Sequence, residues 1–125
     1  MEQRYLIDTN VIIDHFGNKL PEKAKTLLYS IDLTVSAVTK IEVLGWVNAT
    51  QEQLQPLYDF METATILPIN EIVIEKTIAI RQTKKIALGD AIIAATALVY
   101  GLILISHNIS DFKNIAALQV IDYTA

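Results

Sequence analysis

Four acidic residues each lie beside an apolar segment of the sequence: Asp8, Glu42, Asp90 and Asp111. Carboxylates gathered in one pocket repel one another unless they are protonated or paired with a cation. No arginine stands next to any of the four, and hard divalent cations such as Mg²⁺ and Mn²⁺ prefer oxygen ligands. Such ions support phosphodiester hydrolysis, because they activate water and offset the charge of the phosphate. The sequence therefore predicts a metal-dependent hydrolytic site, provided that the fold brings these acids together.

The elements that must position these acids alternate between strands and helices. Short apolar runs predict strands at 5–7, 33–35, 65–67, 102–105 and 119–121. Apolar spacing and helix-start residues predict helices at 10–16, 21–30, 40–47, 51–63, 70–84 and 88–100, and a short one near 109–115. This alternation implies parallel strands joined by crossovers. We therefore predict a three-layer α/β/α fold around a central parallel sheet of about five strands, with residues 1–125 as a single domain.

A parallel sheet of this kind would collect the acids at one edge, because its ligands bind beyond the carboxyl ends of the strands. Asp8 directly follows the first strand, Glu42 lies in the helix after the second, and Asp111 lies in the loop after the fourth. Asp90 joins them if its helix begins on the same side. Each acid also has an ordinary alternative role, such as a helix cap for Asp8, but their convergence favours metal binding.

The composition limits the classes of function that remain. The chain has no cysteine, which excludes disulfides, thiolate zinc sites and cysteine nucleophiles. Its net charge is -4, so binding of nucleic acid needs local basic groups or bound cations. The basic residues that could steer a nucleic acid, or could be ordinary solvated surface groups, are Lys40, Arg81, Lys84, Lys85 and Lys113. No secretory signal is visible, and the apolar run at 91–105 is too short for a membrane span, so we expect a cytoplasmic protein.

Several segments together resemble the PIN-domain family, and especially the VapC-type toxins of bacterial type II toxin–antitoxin systems. They are LIDTNVIID at 6–14, Glu42 after SAVT, GDAIIAATA at 89–97 and ISHNISDF at 105–112. The resemblance covers essentially the whole chain in order, and the last two segments are its most specific part. It implies an endoribonuclease that depends on Mg²⁺, with Mn²⁺ possible, and that acts on RNA. It also implies a cognate antitoxin as protein partner and a homodimer.

The resemblance assigns roles to individual residues. The four family acids fall on Asp8, Glu42, Asp90 and Asp111, and supporting polar positions fall on Asn10, Ser106 and Asn108. The sequence departs from the family at His107, where arginine is usual. Arginine is permanently charged and binds phosphate through two donors, whereas histidine is neutral for much of the time at pH 7. We therefore expect a weaker or pH-dependent RNA contact at His107, with an ordinary exposed loop histidine as the alternative.

Other classes remain as alternatives. A non-toxin PIN nuclease fits the same residues, and a catalytically silent PIN-like binding module is disfavoured by the presence of all four acids. A receiver-type signalling domain would need adjacent acids after the first strand, and a haloacid-dehalogenase-type phosphatase would need Asp-x-Asp where Asp8-Thr9-Asn10 stands. Candidate surfaces for partner proteins are His15–Phe16 and the 51–63 helix, and Trp46 is expected in the core or at an interface.

Overall fold

A computed structural model describes residues 4–123. Its strands are β1 (Tyr5–Ile7), β2 (Thr34–Ser36), β3 (Thr65–Leu67), β4 (Ile103–Ser106) and β5 (Val120–Asp122). Its helices are α1 (Thr9–Phe16), α2 (Glu22–Tyr29), α3 (Ala37–Leu44), α4 (Gln51–Thr63), α5 (Glu71–Thr83), α6 (Leu88–Tyr100) and α7 (Ile109–Phe112). The strands and helices alternate much as the sequence predicted, with boundaries that coincide or differ by up to three residues. No helix within the described range combines the length and hydrophobicity of a membrane span.

The strands pair in parallel, which confirms the predicted fold class. β4 lies between β1 and β5 in a three-stranded sheet, and β2 pairs with β3 in a two-stranded sheet. β1 also packs beside β2, so the spatial order is β3-β2-β1-β4-β5. A single sheet was expected. In the described part of the chain, hydrogen bonding is interrupted between β1 and β2, so the strands form two sheets. The carboxyl ends of β1, β2 and β4 still lie at the same edge.

Both faces of the central strands are covered, which explains their continuous apolar sequences. Leu6 of β1 and Leu104 of β4 belong to a core cluster with α5 and α6, whereas Ile7 and Ile105 belong to a second cluster with α1 and α4. Successive side chains of a strand point to opposite faces, so each strand contributes to both cores. Because both faces of β1 and β4 are buried, the carboxyl ends of these strands are held in place relative to the helices that pack on them.

Helix α3 begins earlier than the sequence predicted. Ser36 caps it, because the Ser36 hydroxyl accepts a hydrogen bond from the Val38 backbone N–H at 3.2 Å. Thr39, which belongs to another residue type that commonly caps helices, lies inside the helix and is fully buried. Since α3 ends before Gly45, Trp46 lies beyond the helix with 48% of its surface exposed. The core alternative in the prediction for Trp46 is therefore wrong, and its position at an interface stays a prediction.

Helix α6 runs into β4 through a left-handed turn at Gly101, where φ is 66°. The Leu102 backbone N–H closes this turn on the Ala97 carbonyl at 2.8 Å. A side chain at Gly101 would meet no atom within 4 Å, so the only obstacle to substitution is the backbone conformation. The turn connects the helix that carries Asp90 to the central strand β4.

Gly101→Ala should therefore lower the free energy of unfolding by about 1–2 kcal/mol, the cost of the left-handed conformation for an ordinary residue. Gly101→Asn should lower it by less, because asparagine tolerates this region better. Urea denaturation followed by circular dichroism measures both. Equal stability of the alanine variant and the wild type would contradict the conformational explanation.

Candidate metal centre

Asp8 is both a helix cap and a buried acid at the sheet edge. It is 2% exposed, and its Oδ1 accepts a hydrogen bond from the Thr9 backbone N–H at 2.8 Å. Its Oδ2 accepts a hydrogen bond from the Ser106 hydroxyl at 2.7 Å. Burial raises the pKa of Asp8 above its ordinary 3.8, although the Ser106 and Thr9 hydrogen bonds oppose this rise. The capping interpretation of Asp8 is therefore confirmed, and its role in a metal site stays a prediction.

Glu42 is held by a pair of threonine hydroxyls. The Thr9 hydroxyl donates to Glu42 Oε1 at 2.7 Å and lies 3.0 Å from the Thr39 hydroxyl oxygen. Because Thr9 has one hydroxyl proton and gives it to the carboxylate, Thr39 must donate to Thr9. A Cβ atom added at Gly89 would lie only 2.6 Å from Glu42 Oε2. Glu42 therefore lies against the first turn of α6, one residue before Asp90.

Asp90 shows that the four acids interact electrostatically. Its pKa rises from 3.8 to about 6. Burial is the largest cause, followed by the negative charges of Asp8, Asp111 and Glu42 in that order. Like charges disfavour ionisation of a neighbouring carboxyl group. The structure thus brings together all four of the acids that the sequence singled out.

A polar network along the end of β4 connects two of these acids. Asn108 Nδ2 donates to Asp111 Oδ2 at 2.5 Å, and the Asn108 backbone N–H donates to the Ser106 hydroxyl oxygen at 2.9 Å. Ser106 in turn donates to Asp8. Two of the predicted supporting residues, Ser106 and Asn108, therefore orient carboxylates.

The third predicted supporting residue, Asn10, lies in the first turn of α1. Its Oδ1 is buried and has no hydrogen-bond partner among the described residues. A buried acceptor without a partner is costly, and a cation or a donor from a ligand would satisfy it. Asn10 therefore adds a free oxygen close in the chain to Asp8.

These residues fit a hard divalent cation, because every donor is an oxygen and the repulsion that raises the pKa of Asp90 is what a cation relieves. Within residues 4–123, however, no three His, Asp or Glu side chains form a group that could hold a metal ion directly. Engagement of all four acids by one ion therefore requires side-chain rotation or bridging water molecules. Mg²⁺ commonly keeps several of its waters when it binds to proteins.

Sequence reasoning missed the residues that surround Glu42. Thr9 follows Asp8 and Gly89 precedes Asp90 in the sequence. This adjacency was the one available signal that these two residues belong to the site. Thr39 gave no signal, because its contact with Thr9 depends on how α1 packs against α3. Asp14 and Tyr123 were also missed, and both contact His107.

The exposed apolar surface differs from the expected one. Phe16 contacts Phe60 edge to face with ring centroids 5.8 Å apart, whereas Leu57 of the same helix is buried. A further apolar surface, which the sequence did not reveal, is a groove along α5 and α6. Its lining includes Ile69, Ile74, Ile78, Leu88 and Ile92.

The parallel sheet and its edge of four acids match a known class of proteins. The family model described as PIN domain matches residues 5–118, and the chain therefore belongs to the PIN domain family. It is 28% identical to Ribonuclease VapC1 of Haemophilus influenzae (strain R2866) over 96% of this chain and 98% of that protein. The family resemblance expected from the sequence is thus confirmed.

Solved structures agree with this assignment. The chain resembles a toxin–antitoxin complex from Klebsiella pneumoniae at 33% identity and a TM-score of 0.79, covering 95% of this chain and 97% of that one. It resembles VapBC-1 from nontypeable Haemophilus influenzae at 25% identity and a TM-score of 0.83, covering 98% and 100% of the two chains. The same fold and nearly the same length are therefore shared with both.

The raised pKa of Asp90 predicts an unusual pH dependence of stability in metal-free buffer. The folded state binds this proton more tightly than the unfolded chain, so its stabilising effect is present at low pH. It is lost as the pH rises from about 4 to about 6. Asp90→Asn removes the charge and should reduce this loss, making the variant more stable than the wild type at pH 7. Urea denaturation across the pH range measures the effect.

The matched control for that experiment is Asp59→Asn. Asp59 is an exposed acid on α4, and its side chain accepts a hydrogen bond from Gln55 Nε2 at 2.9 Å. It should keep the wild-type pH slope. If Asp90→Asn and Asp59→Asn had the same slope, the raised pKa of Asp90 would be wrong.

The Thr9 hydroxyl should matter for metal affinity. Thr9→Val keeps the backbone N–H that bonds to Asp8 but removes the hydroxyl that orients Glu42. Loss of such an orienting partner typically weakens metal affinity about 10–100-fold. Calorimetric titration with Mn²⁺ measures this change, and Thr9→Ser, which keeps the hydroxyl, should bind nearly as the wild type does. Equal affinities of the valine and serine variants would show that the hydroxyl is unimportant.

Proposed function

We propose that this protein is an endoribonuclease that depends on Mg²⁺ or Mn²⁺ and acts as the toxin of a toxin–antitoxin pair. The observation that carries the proposal is the coupling of Asp90 to Asp8, Glu42 and Asp111 at one edge of a PIN-domain sheet. The similarity to Ribonuclease VapC1 supports RNA as the substrate class. The four acids are proposed as metal ligands and as the catalytic residues.

A divalent cation supplies two kinds of chemistry at such a site, because it lowers the pKa of a bound water and offsets the charge of the phosphate. The protein must hold the carboxylates in fixed directions before the ion binds. Asp8 is the most constrained of them, since both of its oxygens already accept hydrogen bonds from Thr9 and Ser106. We propose Asp8 as the central ligand.

The other acids surround Asp8 with different degrees of freedom. Glu42 is held on one oxygen by Thr9, and Asp111 is held on one oxygen by Asn108. The charges of Glu42 and Asp111 both act on Asp90. Asp90 has no side-chain hydrogen bond among those described for the site. We propose that Glu42 and Asp90 complete the inner ligand set or hold its waters, and that Asp111 serves an outer position. Hydrolysis then proceeds by in-line attack of water on the RNA phosphodiester.

The proposed partners follow from the relatives. The similar solved structures are named as a toxin–antitoxin complex and as VapBC-1, which supports an antitoxin protein as the partner of this chain. We also propose a homodimer and a cytoplasmic location, where RNA is available. The groove along α5 and α6 offers an apolar surface of the kind that protein partners cover.

Asp8→Asn and Asp90→Asn should each abolish cleavage while the fold is kept, because asparagine preserves the shape of the side chain and removes its charge. Cleavage activity should fall by more than the roughly 10–100-fold that is typical when a residue that only orients a metal ligand is lost. Wild type and variants are expressed in cells, growth is recorded, and RNA ends are mapped by sequencing. Purified protein is tested on RNA with Mg²⁺, with Mn²⁺ and after chelation, and chelation should stop cleavage.

Asp59→Asn serves as the control, since Asp59 is an exposed acid far from the site in the chain. It should leave growth arrest and RNA cleavage unchanged. Identical RNA ends and growth for wild type and Asp90→Asn would reject ribonuclease toxicity. Cleavage without arrest would leave a non-toxin nuclease, and the genomic position distinguishes the two, because a toxin has a short reading frame for a DNA-binding antitoxin beside it.

A further inference from the structure

Two contacts from other helices fix the direction of the Glu42 side chain. Glu42 is exposed, and an exposed glutamate on a helix ordinarily samples several rotamers. Its Oε1 accepts the hydrogen bond from the Thr9 hydroxyl of α1 at 2.7 Å. Its Oε2 faces the backbone of α6 at Gly89, where an added Cβ would lie 2.6 Å from this oxygen. The carboxylate therefore lies between α1 and α6, and its two oxygens have different surroundings.

Thr39 supports the first of these contacts from inside the protein. It lies three positions before Glu42 on α3, so the two side chains are neighbours on the same face of the helix. Thr39 is fully buried, and its hydroxyl oxygen lies 3.0 Å from that of Thr9. The Thr9 hydroxyl is thus placed between two groups of α3, from which it accepts one hydrogen bond and to which it donates the other. Hydrogen bonds in such a chain strengthen one another.

The same contacts relate Glu42 to two neighbouring acids. Thr9 donates its backbone N–H to Asp8 at 2.8 Å and its hydroxyl to Glu42, so one residue orients both carboxylates. Gly89 directly precedes Asp90 in the first turn of α6. A change at either contact would therefore alter where Glu42 lies relative to Asp8 and Asp90.

We infer that Thr39 and Gly89 are positioning residues, which hold the Glu42 carboxylate in one direction before a divalent cation binds. The inference rests on the proposed function, in which Glu42 contributes to the metal site. Thr39 acts through the Thr9 hydroxyl, and Gly89 acts by leaving the space that Glu42 Oε2 occupies. A side chain that is already oriented loses less conformational freedom on binding. Both residues should therefore affect metal affinity without contacting the metal.

Thr39→Val tests the first position, because it keeps the shape of the side chain and removes only the hydroxyl. In calorimetric titration with Mn²⁺, it should weaken metal affinity about 3–10-fold, the range expected for loss of one orienting hydrogen bond. Thr39→Ser keeps the hydroxyl and should bind Mn²⁺ nearly as the wild type does. In a Thr9→Val background, Thr39→Val should have no further effect, because the group through which it acts is gone.

Gly89→Ala should lower metal affinity for a steric reason. The added Cβ meets the end of a flexible side chain, so Glu42 swings away while the helix is kept. Alanine also favours a helix more than glycine does, so stability in urea should not fall, whereas Mn²⁺ affinity should drop about 10–100-fold. In a Glu42→Asp background, the shorter carboxylate leaves room for the methyl group, and Gly89→Ala should then change the affinity little.

The control for Thr39→Val is Thr77→Val, since Thr77 is a buried helical threonine whose hydroxyl donates to the Val73 carbonyl of its own helix. Thr77→Val should keep the wild-type affinity for Mn²⁺. Wild-type affinity of folded Thr39→Val or Gly89→Ala overturns the role of that residue and leaves the proposed function standing. An equal loss of affinity in Thr77→Val, or additive effects of Thr39→Val and Thr9→Val, overturns the action of Thr39 through Thr9. A folded wild type that binds neither Mg²⁺ nor Mn²⁺ overturns the proposed metal dependence itself.

Discussion

Mutual repulsion among four carboxylates is the constraint on which the rest of the structure depends. Burial, followed by the negative charges of Asp8, Asp111 and Glu42, raises the pKa of Asp90 to about 6. A fold tolerates such an arrangement only if its scaffold is stable without it. The two apolar clusters on either side of β1 and β4 provide that stability. Local hydrogen bonds then fix the direction of each acid.

The fold and the four acids could be predicted because they depend on patterns within short segments. Apolar runs identified the strands, and the rule for ligand positions in parallel sheets identified Asp8, Glu42, Asp90 and Asp111 as one group. The start of α3 was predicted less well, because Ser36 and Thr39 are both good caps and burial of Thr39 decided between them. The exposure of Trp46 depends on where that helix ends.

Ser106 and Asn108 followed from the family resemblance, but the other groups that orient polar side chains at the site could not be predicted. A hydroxyl has no preferred partner until the helices have packed. Thr39 and Thr9 meet across 30 positions of the chain, and Tyr123 and Asp14 meet across 109. Periodicity carries no information about such pairs. The sequence did reveal His107 as a departure from the family. Its contacts with Tyr123 and Asp14 distinguish it from an isolated loop histidine.

The pairing of β1 with β4 has a consequence for synthesis of the chain. Asp8 receives its hydrogen bond from Ser106, which lies 98 positions later, and β1 forms its backbone ladder with β4. A ribosome therefore completes the first three acids before the strand that fixes Asp8 has emerged. Pairings of such long range are slow to form. The edge of the sheet that carries Asp8 is consequently complete only after β4 has packed against β1, so the placement of this acid depends on contacts that span most of the polypeptide.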